Sequence, residues 1–241
     1  MLGDWRHAAF ISVRDIGLFL ASARSDARLE VLRQDAAVSD AAFDRLYADA
    51  PQNDPWASSL SKYQYQRQKY DALVGLLPER PYRRALDLGC GLGLFTERLG
   101  PRVEEVLGID ISAVAIRCAA DRTRGFRNVR LRQGDITALD VELDGRFDLV
   151  VVADTIYYLP PPIQDETLKS LAARFARLLT QDGVLLVVNH YFPIPNANTR
   201  LTRRIHRAFQ SSPALTLFAE HRRAFFLASL LAPTSAAGLS P

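Results

Sequence analysis

Apolar positions along the chain gather into five short runs with helical stretches between them. Arg84-Ala85-Leu86-Asp87-Leu88 closes on glycines, as a buried strand does, and Glu105-Val106-Leu107-Gly108-Ile109-Asp110 repeats its shape. Asn128-Val129-Arg130-Leu131-Arg132 alternates, which predicts a more exposed strand. Phe147–Ala153 and Gly183–Val188 are almost continuously apolar, as in central parallel strands covered on both faces. Residues 92–99, 113–122 and 165–179 read as the helices between them. Strands alternating with helices predict an α/β fold with a doubly wound, mostly parallel sheet. Two further runs, at 215–219 and 225–230, flank Glu220-His221-Arg222-Arg223 and predict an antiparallel hairpin on the sheet edge, bringing the sheet to seven strands.

The rest of the chain divides around that sheet. Residues 1–50 read as helical, with no nameable chemistry, and a turn-rich segment follows at 49–55. Residues 56–77 read as one helix leading to Pro78 and Pro81. The expected organisation is an N-terminal helical cap over 1–77, the sheet domain over 78–231 and a flexible tail over 232–241.

Composition narrows the function classes. With 241 residues, 48% hydrophobic and 24% charged, the chain suits one α/β domain with appendages. A net charge of +3 is too weak to argue for nucleic acid as a partner. The two cysteines, Cys90 and Cys118, have no metal-site spacing, so neither a metal nor a disulfide is expected. No apolar run reaches membrane length. Residues 16–23 end in Ala-Ser-Ala, as a signal-peptide cleavage region can, but Arg14 and Asp15 precede them and favour an amphipathic helix. A cytoplasmic location is the expectation.

The candidate chemistry sits at the strand ends. Leu86-Asp87-Leu88-Gly89-Cys90-Gly91-Leu92-Gly93 runs from a strand through a glycine-rich turn into a helix. Bare backbone there admits a ligand closely, and a helix N-terminus favours anionic groups. Asp110 ends the second strand, 19 residues beyond Gly91, where a carboxylate can accept ribose hydroxyls. Asp135 follows the third strand and can accept an adenine amino group, with Ile111 or Ile136 packing on the ring. The fourth strand ends in Ala153-Asp154-Thr155-Ile156-Tyr157-Tyr158. A nicotinamide enzyme would need GxGxxG, but Leu94 or Thr96 stands at the third glycine position.

These residues resemble motifs I to IV of class I S-adenosylmethionine-dependent methyltransferases, whose fold is Rossmann-like. Asp54-Pro55-Trp56, Ser61-Lys62-Tyr63, Lys69-Tyr70 and Tyr157-Tyr158-Leu159 are more narrowly similar to NodS-like enzymes, which N-methylate the free amino sugar of a deacetylated chitooligosaccharide. The resemblance covers about residues 51–231. It implies that Gly89, Cys90 and Gly91 contact the methionine part of S-adenosylmethionine, with Asp87 organising their loop. It implies Asp110 for the ribose, Asp135 and Ile136 for the adenine, and Ala153 and Tyr157 near the sulfonium. Trp56 and Tyr63 would close over the cofactor or simply pack in the core. The segment Asn189–Pro193 and the basic stretch after it have no match in that family.

An amine acceptor must shed a proton before or during attack. Asp154 and His190 are the candidate bases, His190 because a free imidazole titrates near about 6.5; either one can instead be an orienting or backbone-bonding group. Arg200, Arg203, Arg204 and Arg207 share helical spacing and read as a solvated face or a recognition surface for an anionic acceptor. The expected activity is methyl transfer to a small molecule, an amine of a sugar or oligosaccharide first and a hydroxyl second, with a non-catalytic adenosine-binding scaffold as the third reading.

Overall fold

The computed structural model describes residues 15–35, 39–192, 196–223 and 225–234. Residues 1–14 and the tail from 235 onward, where flexibility was expected, lie outside this set, as does Pro193 of the unmatched segment.

The sheet carries β1 (Tyr82–Leu88), β2 (Val103–Asp110), β3 (Val129–Gln133), β4 (Phe147–Ala153), β5 (Leu179–Tyr191), β6 (Leu215–Arg223) and β7 (Phe225–Pro233). Their spatial order is β3-β2-β1-β4-β5-β7-β6. The first five are mutually parallel, and β7 runs antiparallel to both β5 and β6. The chain winds outward in opposite directions from β1 and β4, so the loops leaving these two strands part and open a cleft at their carboxyl ends. Register brings those ends level: Leu88 pairs with both Ile109 and Val152, and Ala153 pairs with Val188.

Alternation along each strand feeds two cores. Leu86, Leu88, Val150, Val152, Leu185 and Val187 pack with Leu168, Leu171 and Phe175 of α6 (Asp165–Leu178) and with Ile205 and Phe209 of α7 (Ala197–Gln210). Ala85, Leu149, Val151, Leu186 and Val188 pack on the other face with Leu73 and Val74 of α3 (Tyr65–Leu76) and Phe95 and Leu99 of α4 (Leu94–Leu99). Burial on both faces explains why β4 and β5 read as unbroken apolar runs.

The antiparallel hairpin lies on the sheet edge as expected, with β6 outermost and β7 between β5 and β6, because Phe226–Ala232 are apolar on both faces apart from Ser229 and every one is buried. Two expectations are corrected. Glu220-His221-Arg222-Arg223 do not form the turn but end β6, where an edge strand can hold charges toward water. Residues 56–77 are not one helix. Before α3, residues 54–59 form a tight loop in which the buried Asp54 carboxylate accepts the backbone N–H and hydroxyl of Ser58 and of Ser59 at 2.6–3.0 Å. Ala57 inside that loop takes φ 54, which no helix allows.

The N-terminal segment supplies α1 (Ile16–Asp35) and α2 (Ser39–Asp49), which lie against the start of α5 (Ala113–Arg122) and the glycine turn after β1. Asp44 of α2 accepts the Ser112 hydroxyl at 2.6 Å and the Val114 N–H at 3.2 Å, capping α5 from another element. Asp15 does the same for α3 through the N–H groups of Gln64 and Tyr65. Asp44→Ala is expected to lower the unfolding free energy by about 1–2 kcal/mol with the far-ultraviolet circular dichroism intact. Unchanged urea unfolding would show that the cap is idle.

Candidate active site

A cavity of about 240 Å³ opens over the carboxyl ends of β1, β2 and β4. Its floor is the glycine turn. Gly89, Gly91 and Gly93 have φ of +72, +52 and +74, a left-handed region that side chains resist. Gly89 also has no room for one: a Cβ there would sit 2.3 Å from Thr155, so the loops after β1 and β4 touch at this point. The helix that follows the turn starts only at Leu94 and is six residues long.

Asp110 ties this turn to β2. Its Oδ2 accepts the Gly91 N–H at 2.8 Å and its Oδ1 the Ser112 N–H at 2.9 Å. Burial raises its carboxyl above the ordinary value, and the two backbone bonds oppose that rise. A carboxylate offers about four lone-pair sites. Two are used here, and Asp110 lines the cavity with the rest. Asp135 lines it as well, with Oδ1 engaged by the Thr137 N–H and hydroxyl, each at 2.8 Å.

The roof comes from the N-terminal segment, to which the sequence had assigned no chemistry. Asp26 of α1 accepts from Trp56 Nε1 at 3.1 Å and from the Tyr158 hydroxyl at 2.9 Å. The Trp56 ring packs against Tyr158 and Tyr47 at centroid separations of 5.3 and 5.5 Å. Phe43 and Tyr47, four residues apart on α2, both line the cavity, as do Gln66 and Tyr70 on α3. That spacing was available as a pattern, but it has the same form as ordinary core packing.

Opposite the glycine turn lies a charged group that joins three elements. The Lys69 side chain on α3 is fully buried and its Nζ is bonded to Asp154 Oδ2. Asp154 follows β4 at φ +55. His190 Nδ1, near the end of β5, lies 3.1 Å from Asp154 Oδ1 and 2.8 Å from the Tyr157 hydroxyl. The Asp154 contact is close enough for charge attraction but is not aligned as a hydrogen bond, which leaves Oδ1 without an aligned donor. Burial alone would raise the Asp154 carboxyl, but His190 and Lys69 outweigh it and hold the group well below the usual carboxylate range. Burial, then Tyr158 and Asp154, push the Tyr157 hydroxyl up, so it stays protonated.

Of the residues expected at the site, Trp56, Gly89, Cys90, Gly91, Asp110, Ile111, Asp135, Ile136, Ala153, Asp154, Tyr157 and His190 line this one cavity. Two do not. Tyr63 packs with Leu18, Phe19 and Leu60, its hydroxyl over Gly17, because the loop before α3 turns it away from the sheet tips. Asp87 is buried behind the turn, where its Oδ2 accepts the Thr96 hydroxyl at 2.6 Å. The α7 arginines are not cavity residues: Arg204 pairs with Asp165 at 2.7 Å, and Arg203 donates to the Tyr191 hydroxyl. Lys69 was quoted only within a motif and not as a site residue.

Comparison with known proteins agrees with this geometry. The family described as "Methyltransferase domain" matches residues 85–183. Residues 85–183 are similar to that family. Trans-aconitate 2-methyltransferase of Deinococcus radiodurans is 38% identical over 117 residues, 48% of this chain and 41% of that protein. Nodulation protein S of Sinorhizobium fredii is 29% identical over 115 residues, 47% of this chain and 51% of that protein. The chain thus spans about half the length of the curated relatives it matches. Among solved structures, the N-methyltransferase NodS from Bradyrhizobium japonicum, in complex with S-adenosyl-L-homocysteine, aligns with a TM-score of 0.66 and 21% identity over 81% of this chain and 98% of that one. That likeness shows the fold. The matched segment contains the glycine turn, Asp110, Asp135 and Asp154, while α1, α2, Lys69 and His190 fall outside residues 85–183.

Asp87 gives this domain a definite pH signature. Burial raises its carboxyl from 3.8 to about 6, against the Thr96 bond, which lowers it. The folded state therefore binds this proton more tightly than the unfolded chain does. The resulting stabilisation is complete below pH 3.8 and is lost as the pH rises through about 6. Asp87→Asn removes the dependence, so relative to the wild type the variant should gain about 2 kcal/mol between pH 4 and pH 8. Denaturant unfolding at the two pH values measures this, and a difference that does not vary with pH would contradict it.

Proposed function

We propose that the protein is an S-adenosylmethionine-dependent methyltransferase that methylates the amine of a small molecule, an amino sugar or oligosaccharide first among the candidates. The observation that carries the amine is the acceptor end of the cavity, where Asp154 and His190 line the wall. Among the described residues no lysine or arginine lines the cavity. Such a wall favours a cationic or neutral guest and repels a polycarboxylate such as the acid named in the Deinococcus relative. The α7 arginines, read as a possible anion site, lie outside the cavity and do not alter that balance.

The residues present fit the cofactor. Asp110 has spare lone pairs for ribose hydroxyls. Asp135 can accept the adenine amino group, Ile111 and Ile136 would flank the ring, and Gly89 and Gly91 line the cavity with backbone alone, where the methionine part would lie. When bound, S-adenosylmethionine supplies a methyl group on a positively charged sulfur. The protein's part is alignment and dryness. Tyr47, Trp56 and Tyr158 wall the cavity with aromatic surface, and Ala153 and Tyr157 end the strand that faces the acceptor.

An amine arriving as an ammonium ion must give up one proton so that its nitrogen lone pair can attack. Asp154 is a poor acceptor for it, because the Lys69 ammonium bonded to Oδ2 stabilises the ionised carboxylate. His190 takes that role, with Asp154 as its orienting partner. With Nδ1 between Asp154 and Tyr157, Nε2 is the ring atom left for the proton.

The experiment is transfer of labelled methyl from S-adenosylmethionine to a panel of glucosamine, deacetylated chitooligosaccharides, hydroxyl acceptors and carboxylic acids. Label on nitrogen is the expected result. Transfer only to hydroxyl or carboxyl acceptors would overturn the amine assignment while leaving the cofactor assignment in place.

A further inference from the structure

Lys69 is the feature of this site that packing does not explain. Lysine is rarely fully buried without a partner, and a buried ion pair can often be replaced by apolar side chains with no loss of stability. Here the pair sits at the cavity wall, on the same helix as the cavity residues Gln66 and Tyr70, and ends on a residue with left-handed backbone. Its ammonium also lies 5.8 Å from the centre of the Phe226 ring, so the charge sits between a carboxylate and an aromatic face.

We infer that Lys69 is a positioning residue: by occupying Asp154 Oδ2 it keeps Oδ1 beside His190 Nδ1 and so fixes the ring with Nε2 left to take a proton from the acceptor. The electrostatics follow from the order of charges. Asp154 favours the imidazolium and Lys69 disfavours it, so the ammonium sets how strongly the carboxylate can pull a proton onto the ring. The proton balance is simple. The acceptor ammonium loses one proton to Nε2, its nitrogen becomes a free amine, and His190 becomes a cation stabilised by Asp154.

The groups facing this centre are few. Lys69, Tyr65 and Tyr70 come from α3, Asp154 from the end of β4, and Tyr157 and Tyr158 from the turn after it, with Asp26 of α1 beyond them. β7 places Phe226 beside His190, and α7 contributes the Thr202 hydroxyl, which donates to the His190 carbonyl. Arg203 of α7 and Arg222 of β6 are drawn onto Tyr191 instead.

The inference rests on the proposed amine methylation for its consequence, but its test does not. Nuclear magnetic resonance titration of the His190 ring, assigned with His190→Asn, needs neither cofactor nor acceptor. Lys69→Met should raise the pH at which His190 titrates, and Asp154→Asn should lower it. Lys69→Arg, which keeps the charge, should leave it near the wild-type value. In the active enzyme the acid limb of kcat/KM should move upward with Lys69→Met, whereas a merely structural lysine would lower activity equally at all pH values. If Lys69→Met does not fold, the wild-type protein still decides: the Lys69 ammonium should give a slowly exchanging nitrogen-15 signal that responds when His190 titrates. A His190 titration unmoved by Lys69→Met, or a Lys69 signal indifferent to it, would overturn the inference. Absence of methyl transfer with the His190 shifts intact would instead count against the proposed activity alone.

Discussion

Asp110 holds the site together by accepting two backbone N–H groups from different loops, Gly91 on the turn after β1 and Ser112 at the start of α5. Without a carboxylate there, two buried donors would lose their partner and the glycine turn would lose its tie to β2. That tie is possible because parallel pairing sets Leu88 level with Ile109, so the following residues meet at one edge. The same register sets Leu88 level with Val152 and Ala153 level with Val188, which brings the Asp154–His190 end of the cavity within reach of the glycine end. The cavity is thus a consequence of strand register before it is a matter of particular side chains.

The site has two chemically distinct halves. At the β1–β2 end, backbone and carboxylates offer acceptors and open space, as a nucleoside needs. At the β4–β5 end, charges are matched and enclosed: Lys69 against Asp154, Asp154 against His190, Tyr157 against the same imidazole. Matched charge inside a wall of low polarity is a setting in which one proton can be moved without stabilising it elsewhere.

What the sequence disclosed follows the reach of its patterns. Period-two alternation and continuous apolar runs located β1 to β5, and the acidic residues placed just after them were readable because strand ends in this topology converge. Asp110 and Asp135 were legible for that reason. Lys69 was not, since its partner lies 85 residues away and a lysine on a helix reads as solvated until the packing shows it buried. The roof was equally hidden: Asp26 joins Trp56 and Tyr158, three residues with no shared period. That Glu220–Arg223 belong to β6 was missed because charge there suggested a turn, whereas an edge strand tolerates charge as readily as a loop does.

The central claim is that one cavity, clasped by Gly89–Gly91, Asp110 and Asp135, holds an adenosyl ligand with its sulfur toward Ala153 and Tyr157. A crystal structure of the protein with S-adenosyl-L-homocysteine tests it most directly. The account predicts ribose hydroxyls on Asp110, the adenine between Ile111 and Ile136, and the sulfur facing His190 across the cavity. A ligand bound elsewhere, or adenosine turned away from Asp110, would contradict it.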